Sequence, residues 1–166
     1  MTNPNRPLEP KGFLKTITII HAALAIGVIL FCAVAFSQNS NRNTLSYNTN
    51  DPFTYVALIL AIGGIAVGIF IFKKQLANAQ SRSDLKEKLG LYQAALIQRF
   101  AFIEGAGMFT VVAYDISANL FFLIIAGLLI AYFITIRPTK DRLVTDLNLS
   151  YEDKIIFDSG EDTQVQ

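Results

Sequence analysis

The sequence predicts an all-α fold: a four-helix transmembrane bundle with its N- and C-terminal ends on the cytoplasmic side (N-in/C-in). Three observations carry this. The 166 residues are 52% hydrophobic and 16% charged. The apolar residues are gathered into four long runs, and the Lys and Arg residues alternate between the segments that join them. A bilayer core of about 30 Å needs about 20 helical residues to cross it. A soluble amphipathic helix would show polar positions at helical period, and runs one, two and four have almost none.

The expected spans are 16–36, 53–72, 91–114 and 118–136, which together make a transmembrane domain over 16–136. Residues 1–15 form a cytoplasmic N-terminal segment with Arg6, Lys11 and Lys15. Its first part, with Pro4, Pro7 and Pro10, reads as a flexible lead-in. The loop 73–90 has Lys73, Lys74, Arg82, Lys86 and Lys88, and the cytoplasmic tail 137–166 has Arg137, Lys140 and Arg142. The loop 37–52 has only Arg42, and the turn 115–117 has no basic residue. Basic residues stay on the cytoplasmic side, so these segments fix the orientation. A cleaved leader is the rival for span one, because Ala33-Val34-Ala35 resembles a cleavage site. The apolar run is longer than the roughly 7–15 residues of a signal peptide.

Local signals fill in the joins. The Asn- and Ser-rich stretch after span one reads as an irregular solvated loop, and Pro52 suits the first turn of the next helix. Ser81-x-x-Asp84 resembles a capping box, so a helix is expected from near Ser83 into span three. The short turn before span four makes those helices antiparallel neighbours. In the tail, Ser150-x-x-Asp153 caps a short helix over 151–157, with Ile155, Ile156 and Phe157 as its apolar contacts. The last residues, SGEDTQVQ, read as disordered.

The candidate chemistry lies inside the spans. Glu104 sits about 20 Å along the helix from Leu91 and about 15 Å from Tyr114, close to the bilayer middle. An ionised group there costs about 2.5–3.5 kcal/mol. Glu104 is therefore either neutral and hydrogen-bonded, as glue between helices, or a proton- or ion-binding carboxyl. Gln93, Ile97, Phe100, Met108 and Val111 share its side of the helix. Ala101, Gly105 and Gly107 beside it let another helix approach, so Glu104 is expected to face protein. Arg99 lies about 140° around the helix from it. Arg99 either bends its guanidinium to the interface or pairs with a carboxylate or lipid phosphate. His21 reads as a neutral imidazole bonded to a neighbouring helix or, more sharply, as a proton relay to Glu104. It shares a stripe with Ala25, Val28, Cys32 and Ala35. Span two carries Ala57, Ala61, Gly64 and Gly68 on one stripe, a signal for close packing within the chain or between subunits.

No glycine-rich nucleotide loop, hydrolase triad or metal-ligand spacing appears, so no cofactor, metal or enzymatic activity is expected. No domain-sized part of the chain is basic enough to track phosphates, so nucleic acid is not expected as a partner. The expected partners are the lipid bilayer and a homo-oligomer or another membrane protein.

The stretch Gln93 to Val112, QAALIQRFAFIEGAGMFTVV, resembles the ion-carrying helix of the ATP synthase c proteolipid. The likeness lies in Ala-x-Ile-Glu-Gly followed by Phe-x-Val-Val. It implies that Glu104 occupies the position of that family's ion-binding carboxyl. The short polar loop of that family is replaced here by a long charged one, and Arg99 has no counterpart. Taken whole, the chain resembles the small uncharacterised four-helix inner-membrane proteins of many bacteria. That likeness implies a multi-pass protein of the bacterial inner (cytoplasmic) membrane. The expected role is structural or accessory in a membrane assembly; the alternative is a proton or cation pathway element using Glu104.

Overall fold

A computed structural model describes residues 12–47 and 50–161. Of the expected flexible lead-in, 1–12, all but Gly12 lies outside the described residues, as does the end of the tail, 162–166. Among the described residues six helices follow one another: α1 Phe13–Asn39, α2 Pro52–Gln80, α3 Leu85–Ser117, α4 Leu120–Thr135, α5 Lys140–Asp146 and α6 Tyr151–Glu161. No strand forms among the described residues; one parallel bridge joins Thr44 to Asn119.

Each boundary has a local cause. Gly12 starts α1 at φ 77°, a left-handed conformation that costs glycine nothing. Pro52 stands in the first turn of α2 as expected, where its missing N–H loses no bond. Asp51 caps that helix by accepting from the Phe53 N–H at 3.0 Å. The expected capping box at Ser81 is corrected. Asp84 is the cap of α3 and accepts from the Glu87 N–H at 3.2 Å, while Ser81 closes the end of α2. The presumed loop 73–90 is therefore mostly helix, broken only between Gln80 and Leu85.

Three helices, α1, α2 and α3, are each long and apolar enough to cross a membrane. A fourth crossing exists only if α4 and α5 are taken together, and these meet at a bend of 76°. The expected fourth span, 118–136, shortens at each end. Ala118 is left-handed at φ 53°, and Asn119 caps α4 by accepting from the Phe121 N–H at 3.1 Å. The remaining 16 residues rise about 24 Å at 1.5 Å per residue.

The packing is centred on α3, which touches α1, α2 and α4, while α4 also meets α1 and α2. The small-residue stripe of α2 serves the α2–α3 contact. Ala57 and Ala61 are buried. A Cβ added to Gly64 would stand 2.8 Å from the Phe102 carbonyl oxygen, and one on Gly68 would stand 3.4 Å from that of Arg99. Close approach of two backbones is what such residues permit in an apolar setting.

The two ends of the bundle are more ordered than expected. At the α1–α2 loop end, the Thr44 N–H donates to the Ala118 carbonyl at 2.9 Å, and the Leu120 N–H donates to that of Thr44 at 2.8 Å. Asn119 Nδ2 donates to the Ser46 carbonyl at 2.8 Å, and the Tyr114 hydroxyl donates to Asn43 at 2.6 Å. The stretch 43–46 is irregular and mostly exposed, as expected, but it is pinned to the α3–α4 turn. The reason is that the turn exposes backbone groups which need partners.

At the opposite end, the tail folds back on the α2–α3 hairpin. Leu143, Leu147, Leu149 and Phe157 are buried in the same core as Leu85, Leu89 and Tyr92. The Tyr92 hydroxyl donates to Asp146 at 2.8 Å, and Lys88 pairs with Asp153 at 2.9 Å. Helix α5 was not foreseen, and α6 runs through Glu161, into a stretch expected to be disordered. Ser150 caps α6 as expected, accepting from the Asp153 N–H at 3.1 Å. Of its expected apolar contacts only Phe157 is buried; Ile155 and Ile156 are 51% and 52% exposed.

Candidate functional site

Three ionisable side chains stand in the apolar middle stretches of α1 and α3, and the fold gives each a different setting. His21, on the buried stripe of α1, has Nε2 at 2.9 Å from the Phe133 carbonyl oxygen near the end of α4. A carbonyl only accepts, so Nε2 carries the proton. The ring stacks on Phe133 with centroids 4.3 Å apart and meets the edge of Phe100 at 4.9 Å. The last carbonyls of a helix lack their usual partners; that of Phe133 accepts from the Ile136 N–H at 3.2 Å, and His21 adds a second donor from a neighbouring helix.

Arg99 crosses between α2 and α4. Its Nη2 donates to the Tyr132 hydroxyl at 3.0 Å, and the guanidinium lies 5.1 Å from the centre of the Phe72 ring. The cation is thus faced by a ring and a hydroxyl, and no carboxylate pairs with it among the described residues. Its Nε is buried with no hydrogen-bond partner. A ring face attracts a guanidinium by about 0.5–2 kcal/mol, depending on desolvation.

Glu104 is half-buried and opens on a cleft between α1, α3 and α4. Leu24 and Val28 form one wall, Gly107 and Ile103 the floor, and Leu129 and Phe133 the far wall. Gly107 matters here because its Cα surface lies against Val28, so that an added Cβ would sit 3.5 Å from it. No ion pair of Glu104 is found among the described residues.

The predicted site residues are therefore not one constellation. The His21 hydrogen bond goes to a backbone carbonyl and not to Glu104, although Phe133 touches His21 and lines the Glu104 cleft. Arg99 turns to α2 and α4. Of the small residues beside Glu104, Gly107 is buried, whereas Ala101 and Gly105 are exposed and line a separate apolar groove with Gly63 and Gly64. On the Glu104 side, Phe100 and Val111 are buried, while Ile97 and Met108 are exposed.

Four polar residues that organise the molecule escaped the sequence reading: Tyr132, Tyr92, Asp146 and Asn119. Asn119 carried a signal, since an Asn just before an apolar run is a favoured cap. The others find partners only through tertiary contact. Outside the spans, burial opposes ionisation of Asp153. The hydrogen bond and charge of Lys88, with hydrogen bonds from Ser150, outweigh it and hold the carboxyl below its ordinary range.

Among the described residues, no group of three or more His, Cys, Asp or Glu side chains could hold a metal. The site is one carboxyl beside apolar side chains of α1 and α4, in a helical chain whose described residues hold three, or with the bent pair four, segments long and apolar enough to cross a membrane. No known family model, curated protein or solved structure matches this chain.

Proposed function

We propose that this chain is a four-span protein of the bacterial inner membrane, with both ends and the α2–α3 hairpin in the cytoplasm, acting as an accessory component of a membrane assembly. One observation carries this reading: the hairpin and the tail form a folded module at one end of the membrane segments. Its bonds are Lys88 to Asp153, Tyr92 to Asp146, and Gln80 Nε2 to the Asp146 carbonyl at 2.5 Å. The same end gathers Lys73, Lys74, Arg82, Lys86, Arg137, Lys140 and Arg142, which favours the cytoplasmic side. The uncovered apolar faces of α1 and α2 suit lipid or partner helices.

Orientation is tested in a Cys32→Ser background. A membrane-impermeant maleimide should label Leu45→Cys in intact cells, and Lys86→Cys or Tyr151→Cys only after permeabilisation. The reverse pattern overturns the topology. The accessory role predicts a fixed partner when the protein is isolated gently in native lipid. A chain that runs alone, at the mass of one copy, overturns it.

A second reading is a proton or cation pathway element. It is favoured by the position of Glu104 in an apolar stretch of α3 beside α1 and α4, where no ion pair to it is found among the described residues. Proton flux in vesicles should be lost in Glu104→Gln at unchanged protein abundance, and normal flux from that variant ends this reading.

A further inference from the structure

Arg99 and Tyr132 form a pair of donors that the bundle leaves without an acceptor. Arg99 makes one hydrogen bond among the described residues, from Nη2 to the Tyr132 hydroxyl at 3.0 Å. Its Nε is buried without a partner, whereas Nη1 makes no hydrogen bond but is not closed in with it. The Tyr132 hydroxyl accepts from Arg99 and has no acceptor of its own among the described residues, so its O–H stays available. Both side chains are half-buried. A guanidinium edge beside a phenol proton suits an anion with more than one oxygen.

The level of this pair along the helices narrows the choice of anion. The Arg99 backbone packs at Gly68, where an added Cβ would lie 3.7 Å from the Arg99 Cα. The guanidinium lies 5.1 Å from the centre of the Phe72 ring, which is about 6 Å further along α2 than Gly68. The side chain thus climbs toward the basic hairpin, as a long cationic chain does at the edge of an apolar layer. Lys73 and Lys74 directly follow Phe72, and Arg137 stands just past the end of α4; all three are exposed. No carboxylate pairs with Arg99, Lys73, Lys74 or Arg137 among the described residues. Asp146, at the same end, accepts from the Tyr92 hydroxyl. Basic sites between membrane helices, at the level where the apolar stretch ends, suit the head groups of anionic lipids. A free phosphate would have to shed its water to reach the same depth, which is costly; a lipid phosphate is already held at that boundary.

Resting on the membrane reading above, though not on which end is cytoplasmic, we propose that Arg99 and Tyr132 bind the phosphate of an anionic phospholipid. Arg99 Nη1 and the Tyr132 O–H each donate to a phosphate oxygen, and the basic residues at the ends of α2 and α4 favour a head group of net negative charge. The test uses the full chain, stripped of lipid in a non-ionic detergent and titrated with dioctanoyl phosphatidylglycerol. Bound lipid is read by native mass spectrometry, and helix content shows that each variant is folded. Dioctanoyl phosphatidylcholine, with the same chains and no net charge, and inorganic phosphate are the comparison probes.

Phosphatidylglycerol should bind saturably, and phosphatidylcholine several-fold more weakly. Arg99→Gln should weaken phosphatidylglycerol binding by about tenfold, for a lost charged bond, and Tyr132→Phe, which keeps the ring, by about threefold. Lys154→Gln, on the exposed side of α6, should change nothing. Wild-type affinity in Tyr132→Phe overturns the proposal even where Arg99→Gln fails to fold. Equal binding of phosphatidylcholine overturns it by showing that only the acyl chains are read. Displacement by inorganic phosphate overturns it in favour of the free ion. A chain that takes up no phosphatidylglycerol overturns it as well, and leaves Arg99 to a carboxylate of a partner helix. That failure is distinct from failure of the membrane reading, which would show as a chain that stays soluble and monodisperse without detergent.

Discussion

Replacing glycines of α2 by alanine one at a time tests how α2 and α3 are held together. A Cβ on Gly64 would lie 2.8 Å from the Phe102 carbonyl oxygen and 3.3 Å from the Ala106 Cβ. Carbon contacts are most favourable at about 3.5–4.0 Å, and the obstructing oxygen belongs to backbone. Helix α2 must then retreat by several tenths of an ångström, and overpacking of this kind costs about 1–3 kcal/mol. Alanine also gains about 1 kcal/mol over glycine in helix propensity. Gly63→Ala shares that gain but meets nothing within 4 Å, so it is the internal reference. Gly68→Ala would make ordinary contacts at 3.4 and 3.5 Å and should fall near neutral. The difference between Gly64→Ala and Gly63→Ala removes propensity and leaves about 1–3 kcal/mol of strain. Reversible unfolding in mixed micelles, followed by helix content against the fraction of denaturing detergent, measures it. Equal stabilities for the two variants, or a more stable Gly64→Ala, would refute the close α2–α3 packing.

Other perturbations probe the ends and the aromatic layer. His21→Ala removes one of two donors to the buried Phe133 carbonyl, which keeps the Ile136 N–H at 3.2 Å, and should cost about 0.5–1.5 kcal/mol in the same assay for the lost bond; a loss no larger than that of a surface substitution would show that the bond is not made. Asn119→Ala removes the α4 cap, worth about 0.5–2 kcal/mol, and frees residues 44–46. Faster hydrogen exchange there and at Leu120 should report it, and unchanged exchange would exclude the pinned loop. Asp153 titrates below its ordinary value when folded, so its carboxylate stabilises tail docking at neutral pH. That contribution is lost as pH falls through the lowered value. Proteolysis of the tail should therefore rise at acid pH in the wild type, and Asp153→Asn should show faster cleavage already at neutral pH with a flatter pH response. A parallel response in both would contradict the Lys88 pairing.

How much was legible in advance follows from which forces are local. The long apolar runs are summed transfer energies, so it could be read residue by residue that α1, α2 and α3 are helices long and apolar enough to cross a membrane. Pro52 in the first turn of α2 and the cap at Ser150 depend on a few neighbouring residues, and they too were visible. The break at Asp84 was seen, but its capping residue was misplaced, because Ser81 and Asp84 compete for the same turn. Glu104, His21 and Arg99 stood out against apolar neighbours, yet their surroundings did not. Periodicity gives a face, and a face does not name the residue opposite.

By itself, then, the sequence determined where helices form and which charged side chains must be accommodated among them, since each depends on a window of neighbouring residues. Only the tertiary structure decided that α3 is the central helix, that α2 approaches it at Gly64, and that His21 bonds to Phe133 and Arg99 to Tyr132. It also decided that the tail closes on the hairpin through Lys88 and Tyr92. The physical reason is sequence distance. His21 and Phe133 are 112 residues apart, and only the packed arrangement of α1 against α4 brings the imidazole to that helix end.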